Sequence, residues 1–269
     1  MAKDTNGGVG IHTQTFGAGD RRGLALHCSL AHAGAWKTMA GALEEPLALT
    51  VFDLPGHGKS ADWDGTGDYT ALCADIAAAL IEEDEGQVDL IGHSGGAVAA
   101  LQLALDMPER VRTLTLIEPV LFAAARGTAA WDQHMRAMAP YMAALEAGDR
   151  ALAAESFTAV WGTGRPWADL DETARQYLAD RIHLIEAGMP ALAEDNAGVL
   201  AEGRLETLDL PVMIVIGTES PPVIAEIAEA IAARLPDVGL AEVPGAGHLL
   251  TVTHASQLAG LVDVNLGRD

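Results

Sequence analysis

The sequence predicts an α/β fold: a mostly parallel sheet with helices on both faces, interrupted once by an all-helical insertion. Three observations predict it. The chain has 269 residues, 49% of them apolar, which is enough to bury a sizeable core. Short apolar runs alternate with longer helical patterns, as a parallel sheet covered on both sides requires. That alternation fails only from about Leu121 to Leu205, where no strand-like run stands out. The expected organisation is therefore a core built from residues 1–120 and 206–269, with residues 121–205 as a helical cap.

The expected strands are Gly23 to Cys28, Leu47 to Phe52, Val88 to Ile91, Val111 to Ile117, Val212 to Ile216 and Val238 to Val243. A weaker one lies near Val9 to Phe16. Helical patterns cover Ala35 to Leu43, Tyr69 to Glu85, Gly95 to Met107, Val223 to Leu235 and His254 to Leu266. In the insertion, apolar residues recur at helical spacing in Thr128 to Glu146, Arg150 to Val160, Asp171 to Glu186 and Ala191 to Ala201. Gly148, Gly162, Gly164, Pro166, Gly188 and Pro190 punctuate them.

Charge narrows the partners. Lys and Arg total 16 against 38 Asp and Glu, a formal charge of -22, and such a surface repels polyphosphates. Nucleic acid is not expected. Two cysteines, Cys28 and Cys73, read as ordinary reduced residues. The segment Met1 to Gly10 is polar and glycine-rich, without the apolar run of a signal. Apolar runs such as Leu210 to Ile216 are too short to span a bilayer. A soluble cytoplasmic protein with no membrane partner is the expectation.

The most informative segment runs from Val88 to Leu101. It reads as a strand, then Gly92-His93-Ser94-Gly95-Gly96, then a small-residue helix. A sharp strand-to-helix turn presents a serine hydroxyl at the sheet edge, and the flanking glycines give the backbone room to make it. Ser94 then sits at a helix N-terminus, where free amides favour developing negative charge. Ser94 is the expected nucleophile. His93 is adjacent on the turn and points away, so it reads as a packed or cleft-lining residue. The expected base is His248, delivered by the tight loop Val243-Pro244-Gly245-Ala246-Gly247-His248 after the last strand. Its place in the chain matches the order Ser, acid, His. His254 reads as a capping or surface residue.

These segments resemble the α/β-hydrolase family over nearly the whole chain. Leu26-His27-Cys28-Ser29 is similar to the family's His-Gly oxyanion loop, and Asp53 to Ser60 to its Asp-x-x-Gly-x-Gly-x-Ser segment. Gly92 to Gly96 and Gly245 to His248 complete the set. The resemblance implies an eight-stranded sheet, a helical cap after the sixth strand, and neither cofactor nor metal. It also implies an oxyanion hole made by the backbone amides of Ser29 and Gly95. Cys28 stands where the family has glycine, and it reads as a packed thiol rather than a nucleophile.

The third member departs from the pattern. The usual acid follows the seventh strand, where this chain has Ile216-Gly217-Thr218-Glu219-Ser220, so Ser220 holds the acid's place. Two carboxylates can substitute. Glu118 ends the sixth strand beside the expected site, and Pro119 is expected to keep it extended. Glu219 is one position early. Glu118 is preferred and Glu219 is the alternative.

With Ser94, His248 and a carboxylate, the expected chemistry is hydrolysis of a small-molecule ester or lactone through an acyl-enzyme. Dehalogenases and epoxide hydrolases resembling this fold attack with a carboxylate, which Ser94 argues against. Carbon–carbon bond hydrolysis of a diketone is the alternative, as is a non-catalytic ligand-binding protein that retains the fold. A dinucleotide-binding dehydrogenase is rejected, since no Gly-x-Gly-x-x-Gly opens a helix after the first strand. Trp131, Trp161, Trp167, Met135 and Met138 have two readings, pocket lining or the cap's own core, and the second is the commoner role.

Overall fold

Every residue of the run Val88–His93 is buried, because helices cover both faces of the sheet it belongs to. A computed structural model of the chain describes residues 2–4, 10–83 and 85–269. Its strands are β1 (Ala2–Asp4), β2 (Gly10–Phe16), β3 (Arg21–Leu26), β4 (Leu47–Phe52), β5 (Val88–His93), β6 (Val111–Ile117), β7 (Val212–Gly217) and β8 (Val238–Val243). They form one sheet in the order β1-β2-β4-β3-β5-β6-β7-β8. From β4 to β8 all pairings are parallel, while β2 runs antiparallel to β4 and β1 antiparallel to β2. Val9, the expected start of β2, lies outside the described residues.

Side chains alternate across the sheet and split the core in two. Leu90 and Leu116 face one side, packed with α2 (Tyr69–Glu82), α3 (Gly95–Asp106) and α8 (Val223–Ala232). Ile91 and Ile117 face the other, packed with α1 (Lys37–Ala40), α9 (Leu250–Thr253) and α10 (Ala255–Leu266). Burying one such Leu or Ile stabilises the fold by roughly 1.5–3 kcal/mol. Asp89 is the one acidic residue of β5. Its carboxylate accepts two hydrogen bonds from Arg21 (2.7 and 2.8 Å), one from Arg112 (2.9 Å) and one from Thr113 (2.9 Å). A buried carboxylate so fully paired is tolerated in an otherwise apolar run.

Between β6 and β7 the ordered elements are helices: α4 (Ala129–Glu146), α5 (Arg150–Trp161), α6 (Glu172–Arg181) and α7 (His183–Glu194), with short 3₁₀ turns. The Thr128, Asp149 and Asp171 side chains cap α4, α5 and α6.

Several expected boundaries move. The third strand spans Arg21–Leu26, not Gly23 to Cys28, because the Cys28 carbonyl leaves the ladder to accept from Ala31 N and His27 Nδ1. Ala35 to Leu43 is a 3₁₀ turn, Ala33–Trp36, followed by the single turn α1. The helix expected over Asp171 to Glu186 is broken at Ile182 into α6 and α7. The one expected over Ala191 to Ala201 is only the tail of α7. Asp195 turns left-handed there (φ 51°), and its carboxylate takes the Val199 and Leu200 amides out of any helix.

Sheet order locates the site. β3 connects outward to β4 on one side and β5 connects to β6 on the other, so the chain direction switches between β3 and β5. Loops that leave two such strands at their C-terminal ends part and open a crevice. Here they are the segments beginning at His27 and at Ser94.

Candidate active site

Ser94 occupies the turn between β5 and α3 with φ 59° and ψ -122°, a conformation few non-glycine residues adopt. Its amide donates to Ile117 O (2.9 Å), which ties the turn to β6. The turn works only because α3 comes very close to the sheet. A Cβ on Gly92 would lie 2.5 Å from the Ala97 Cα, and one on Gly96 would lie 2.5 Å from the His27 carbonyl oxygen. No side chain fits at either place.

Three residues far apart in sequence meet here. His248 Nε2 is 3.0 Å from Ser94 Oγ, and His248 Nδ1 is 2.9 Å from Glu118 Oε2. The other Glu118 oxygen accepts the Gly217 amide at 2.6 Å. Glu118 is 0% exposed, and each of its two oxygens is bonded to a protein group. With its Nδ1–H donating a hydrogen bond to Glu118, His248 presents an unprotonated Nε2 to the Ser94 hydroxyl. Such a chain can draw the proton from Ser94 as its oxygen attacks an electrophile.

Glu118 is not extended, as Pro119 led the sequence to suggest. Its φ is 50°, in the left-handed region. Its amide still pairs with Val215 O (2.8 Å), and the left-handed turn ends the strand with the side chain bonded to His248 and Gly217. These bonds offset the local preference. Glu219 is exposed and lines a smaller second cavity of about 270 Å³. Ser220, in the usual acid's place, has its hydroxyl buried and unpaired among the described residues.

Gly95 follows Ser94 on the turn, and Ser29 lies against Gly95, its Oγ 3.5 Å from where a Gly95 Cβ would stand. Among the described residues their amides make none of the turn bonds of their neighbours: Leu30 N donates to His57 Nε2 (3.0 Å) and Ala31 N to Cys28 O. Both residues line a cavity of about 520 Å³ that also includes Ser94 and His248. Trp131, Trp161, Met135 and Met138 line it too. Trp167 does not; it packs at the edge of the core. Cys28 and Cys73 are free and buried, and burial pushes each thiol up to about 12, which disfavours the thiolate.

Several residues around the triad have partners that the sequence did not show. His93 is buried beneath the loop, and its Nε2 donates to His248 O (2.9 Å). It thereby holds the backbone that carries the imidazole. The Trp161 ring stands edge-on to His248 at 4.6 Å. His27 accepts from Leu54 N (2.9 Å) while its Nδ1 donates to Cys28 O (2.7 Å). Asp53 accepts from Ala33 N and Lys59 N. Two histidines within the matched motifs were a visible signal, but their partners depend on how the two loops cross.

Burial keeps both loop histidines neutral: His27 is lowered to about 4 and His57 well below its ordinary value. Between pH ~6.5 and ~4 the unfolded chain therefore binds protons that the folded one does not, and stability falls as pH drops through that window. For His27 the loss reaches about 3 kcal/mol near pH 4. Thermal melts should show Tm dropping steeply below pH ~6.5. A Tm that holds flat down to pH ~4 would contradict the buried neutral imidazoles.

Among the described residues no three His, Cys, Asp or Glu side chains gather as a metal site, and no helix is long and apolar enough to cross a membrane.

A model of the alpha/beta hydrolase family matches residues 24–261. Over 94% of its length the chain is 26% identical to the pimeloyl-(acyl-carrier protein) methyl ester esterase of Nitrosomonas europaea, and the match spans 98% of that protein. A shorter stretch of 114 residues, 42% of the chain, is 32% identical to the lipase LipV of Mycobacterium tuberculosis and spans 43% of it. The structure of a thermophilic esterase from Thermogutta terrifontis superposes with a TM-score of 0.76 at 22% identity, covering 99% of this chain and 97% of that one. That last likeness is one of fold.

Proposed function

Because the chain belongs to the alpha/beta hydrolase family, we propose that this hydrolase cleaves small-molecule carboxylic esters, with Ser94 as nucleophile, His248 as base and Glu118 as acid. The observation that carries the reading is the unbroken hydrogen-bond chain from the Gly217 amide through Glu118 and His248 to the Ser94 hydroxyl, on the wall of an apolar cavity.

Ser94 Oγ attacks the ester carbonyl while His248 Nε2 takes its proton. The Ser29 and Gly95 amides, which have no acceptor among the described residues, stabilise the oxyanion at the positive end of α3. His248 then hands the proton to the departing alcohol. A water, deprotonated by the same nitrogen, then attacks the acyl carbonyl, and His248 returns that proton to Ser94 Oγ as the acyl–oxygen bond breaks and the acid leaves. Glu118 holds the Nδ1 tautomer throughout and balances the charged imidazole. Residues 121–205 act as a cap that shapes the acyl pocket, since α4, α5 and α7 all contribute to its lining. The likeness to a methyl ester esterase over nearly the whole chain supports esters as the substrate class.

The test is labelling by a fluorophosphonate, followed by peptide mapping, alongside a series of acyl esters of increasing length. The label is expected on Ser94 alone, with hydrolysis lost in proportion to labelling. A protein that hydrolyses esters with Ser94 unlabelled, or that neither labels nor hydrolyses, would overturn the assignment.

A further inference from the structure

Of the two proposed oxyanion donors, Gly95 belongs to the serine turn and Ser29 to a loop that the fold has to hold. Just after Ser29 that loop turns at Leu30, whose φ of 65° lies in the left-handed region. The conformation is costly for a residue with a Cβ, so it persists only where the surroundings impose it. Leu30 is buried and lines the cavity beside Ser29.

The backbone bonds of the loop show what imposes the turn. Leu30 N donates to His57 Nε2 (3.0 Å) and Ala33 N to Asp53 Oδ1 (2.7 Å). Leu54 N donates in return to His27 Nε2 (2.9 Å). The Asp53 to Ser60 segment, which takes no part in the chemistry itself, thus braces the loop from the core. A further tie comes from the cap. Tyr177 on α6, 146 residues further along the chain, donates its hydroxyl to Ala31 O (2.9 Å). The same hydroxyl accepts from Gly58 N (3.3 Å), so one phenol bridges both loops.

Tyr177 is itself held. Arg181, one turn on along α6, lays its guanidinium over the Tyr177 ring at 3.8 Å and donates to the Tyr177 carbonyl at 3.2 Å. Burial raises the phenol above its ordinary range, so it keeps the proton that it donates. The next residue, Leu178, lines the cavity, and Tyr177 does not. An effect of the Tyr177 hydroxyl on catalysis therefore passes through the loop. We propose that Tyr177 is a positioning residue: its hydroxyl, reaching from the cap, holds Ala31 so that the strained turn at Leu30 presents the Ser29 amide to the reacting carbonyl. This rests on the reading of Ser94 as nucleophile and of the Ser29 amide as an oxyanion donor. Without the hydroxyl, water can satisfy Ala31 O but cannot fix it, and Leu30 is free to relax toward negative φ. The Ser29 amide moves with it, and an oxyanion donor acts only when aimed at the developing charge.

A pair of ketones reads the oxyanion hole without turnover. Ser94 Oγ adds to the carbonyl carbon of a trifluoromethyl ketone, its proton passes to His248 Nε2, and the adduct carries an oxyanion. The matching methyl ketone stays planar and reports on the pocket alone. In the native protein the fluorinated ketone is expected to bind about 10²-fold tighter or more, as a transition-state analogue does. Tyr177→Phe should cut that preference by about tenfold and lower kcat for an ester by a similar factor, part of the 10²–10³ that losing a whole oxyanion donor costs. KM and methyl ketone binding should stay within about twofold. The ratio of the two affinities belongs to the folded fraction alone, so a lowered Tm leaves it readable. A native ratio and kcat in Tyr177→Phe, or equal weakening of both ketones, would overturn the positioning role alone. A native protein that favours neither ketone would overturn the Ser94 reading, and the positioning role with it.

Discussion

In the Ser94→Ala protein, kcat for any ester the native enzyme hydrolyses is expected to fall by about 10⁶-fold, as when the nucleophile of a serine triad is removed. The fall should be that steep because the Ser94 hydroxyl is the partner of His248 Nε2, at 3.0 Å. No other side chain of the described residues is recorded within hydrogen-bond reach of that nitrogen. A residual rate from the Ser29 and Gly95 amides should remain above the uncatalysed one. The fold should survive, since serine and alanine both carry a Cβ and bear the strain of φ 59° alike. Kinetics and a thermal melt on the same preparation check both halves. Near-native turnover in a folded Ser94→Ala protein would remove Ser94 from the mechanism.

Glu118→Gln is the second large effect, and its geometry is unusually restrictive. One carboxylate oxygen accepts from the Gly217 amide and the other from His248 Nδ1. A glutamine has a single acceptor oxygen. If that oxygen keeps the Gly217 amide, the side-chain NH₂ faces Nδ1 and forces the imidazole proton onto Nε2, where it can no longer accept from Ser94. If the amide flips, a buried N–H loses its partner at a cost of about 1–3 kcal/mol. A loss in kcat of about 10²–10⁴ is expected, with the upper end matching this exchange in a serine protease triad. Glu219→Gln, at an exposed position, should change kcat by less than about twofold. A large loss for Glu219→Gln with near-normal Glu118→Gln would reverse the assignment. Indifference to both would leave a Ser–His pair without an acid.

Much of this was legible in sequence order, and the places where it was not have particular causes. Strand and helix positions along the core follow from apolar periodicity, which local packing on two faces enforces. The insertion's helix ends were misplaced where a side chain competes with the backbone, as Asp195 does for the Val199 and Leu200 amides. The tryptophans and methionines divided in a way their spacing did not foretell. Trp131, Trp161, Met135 and Met138 turn to the cavity while Trp167 does not, because each helix's rotation is set by what it packs against.

The sequence by itself determined the elbow at Ser94. A strand, a turn with glycine where no Cβ fits, and a small-residue helix are contiguous, so local sterics suffice to present that hydroxyl. It also determined that the chain has an α/β core with a helical insertion, because those patterns repeat within short windows. The partnership of Glu118 with His248 was decided only by the tertiary structure. The two are 130 residues apart, and β7, between β6 and β8 in the sheet, supplies the amide that holds the carboxylate. Local preference before Pro119 even opposes the left-handed turn that Glu118 adopts. Two hydrogen bonds to a fully buried charge outweigh that preference, and they exist only once three strands are side by side.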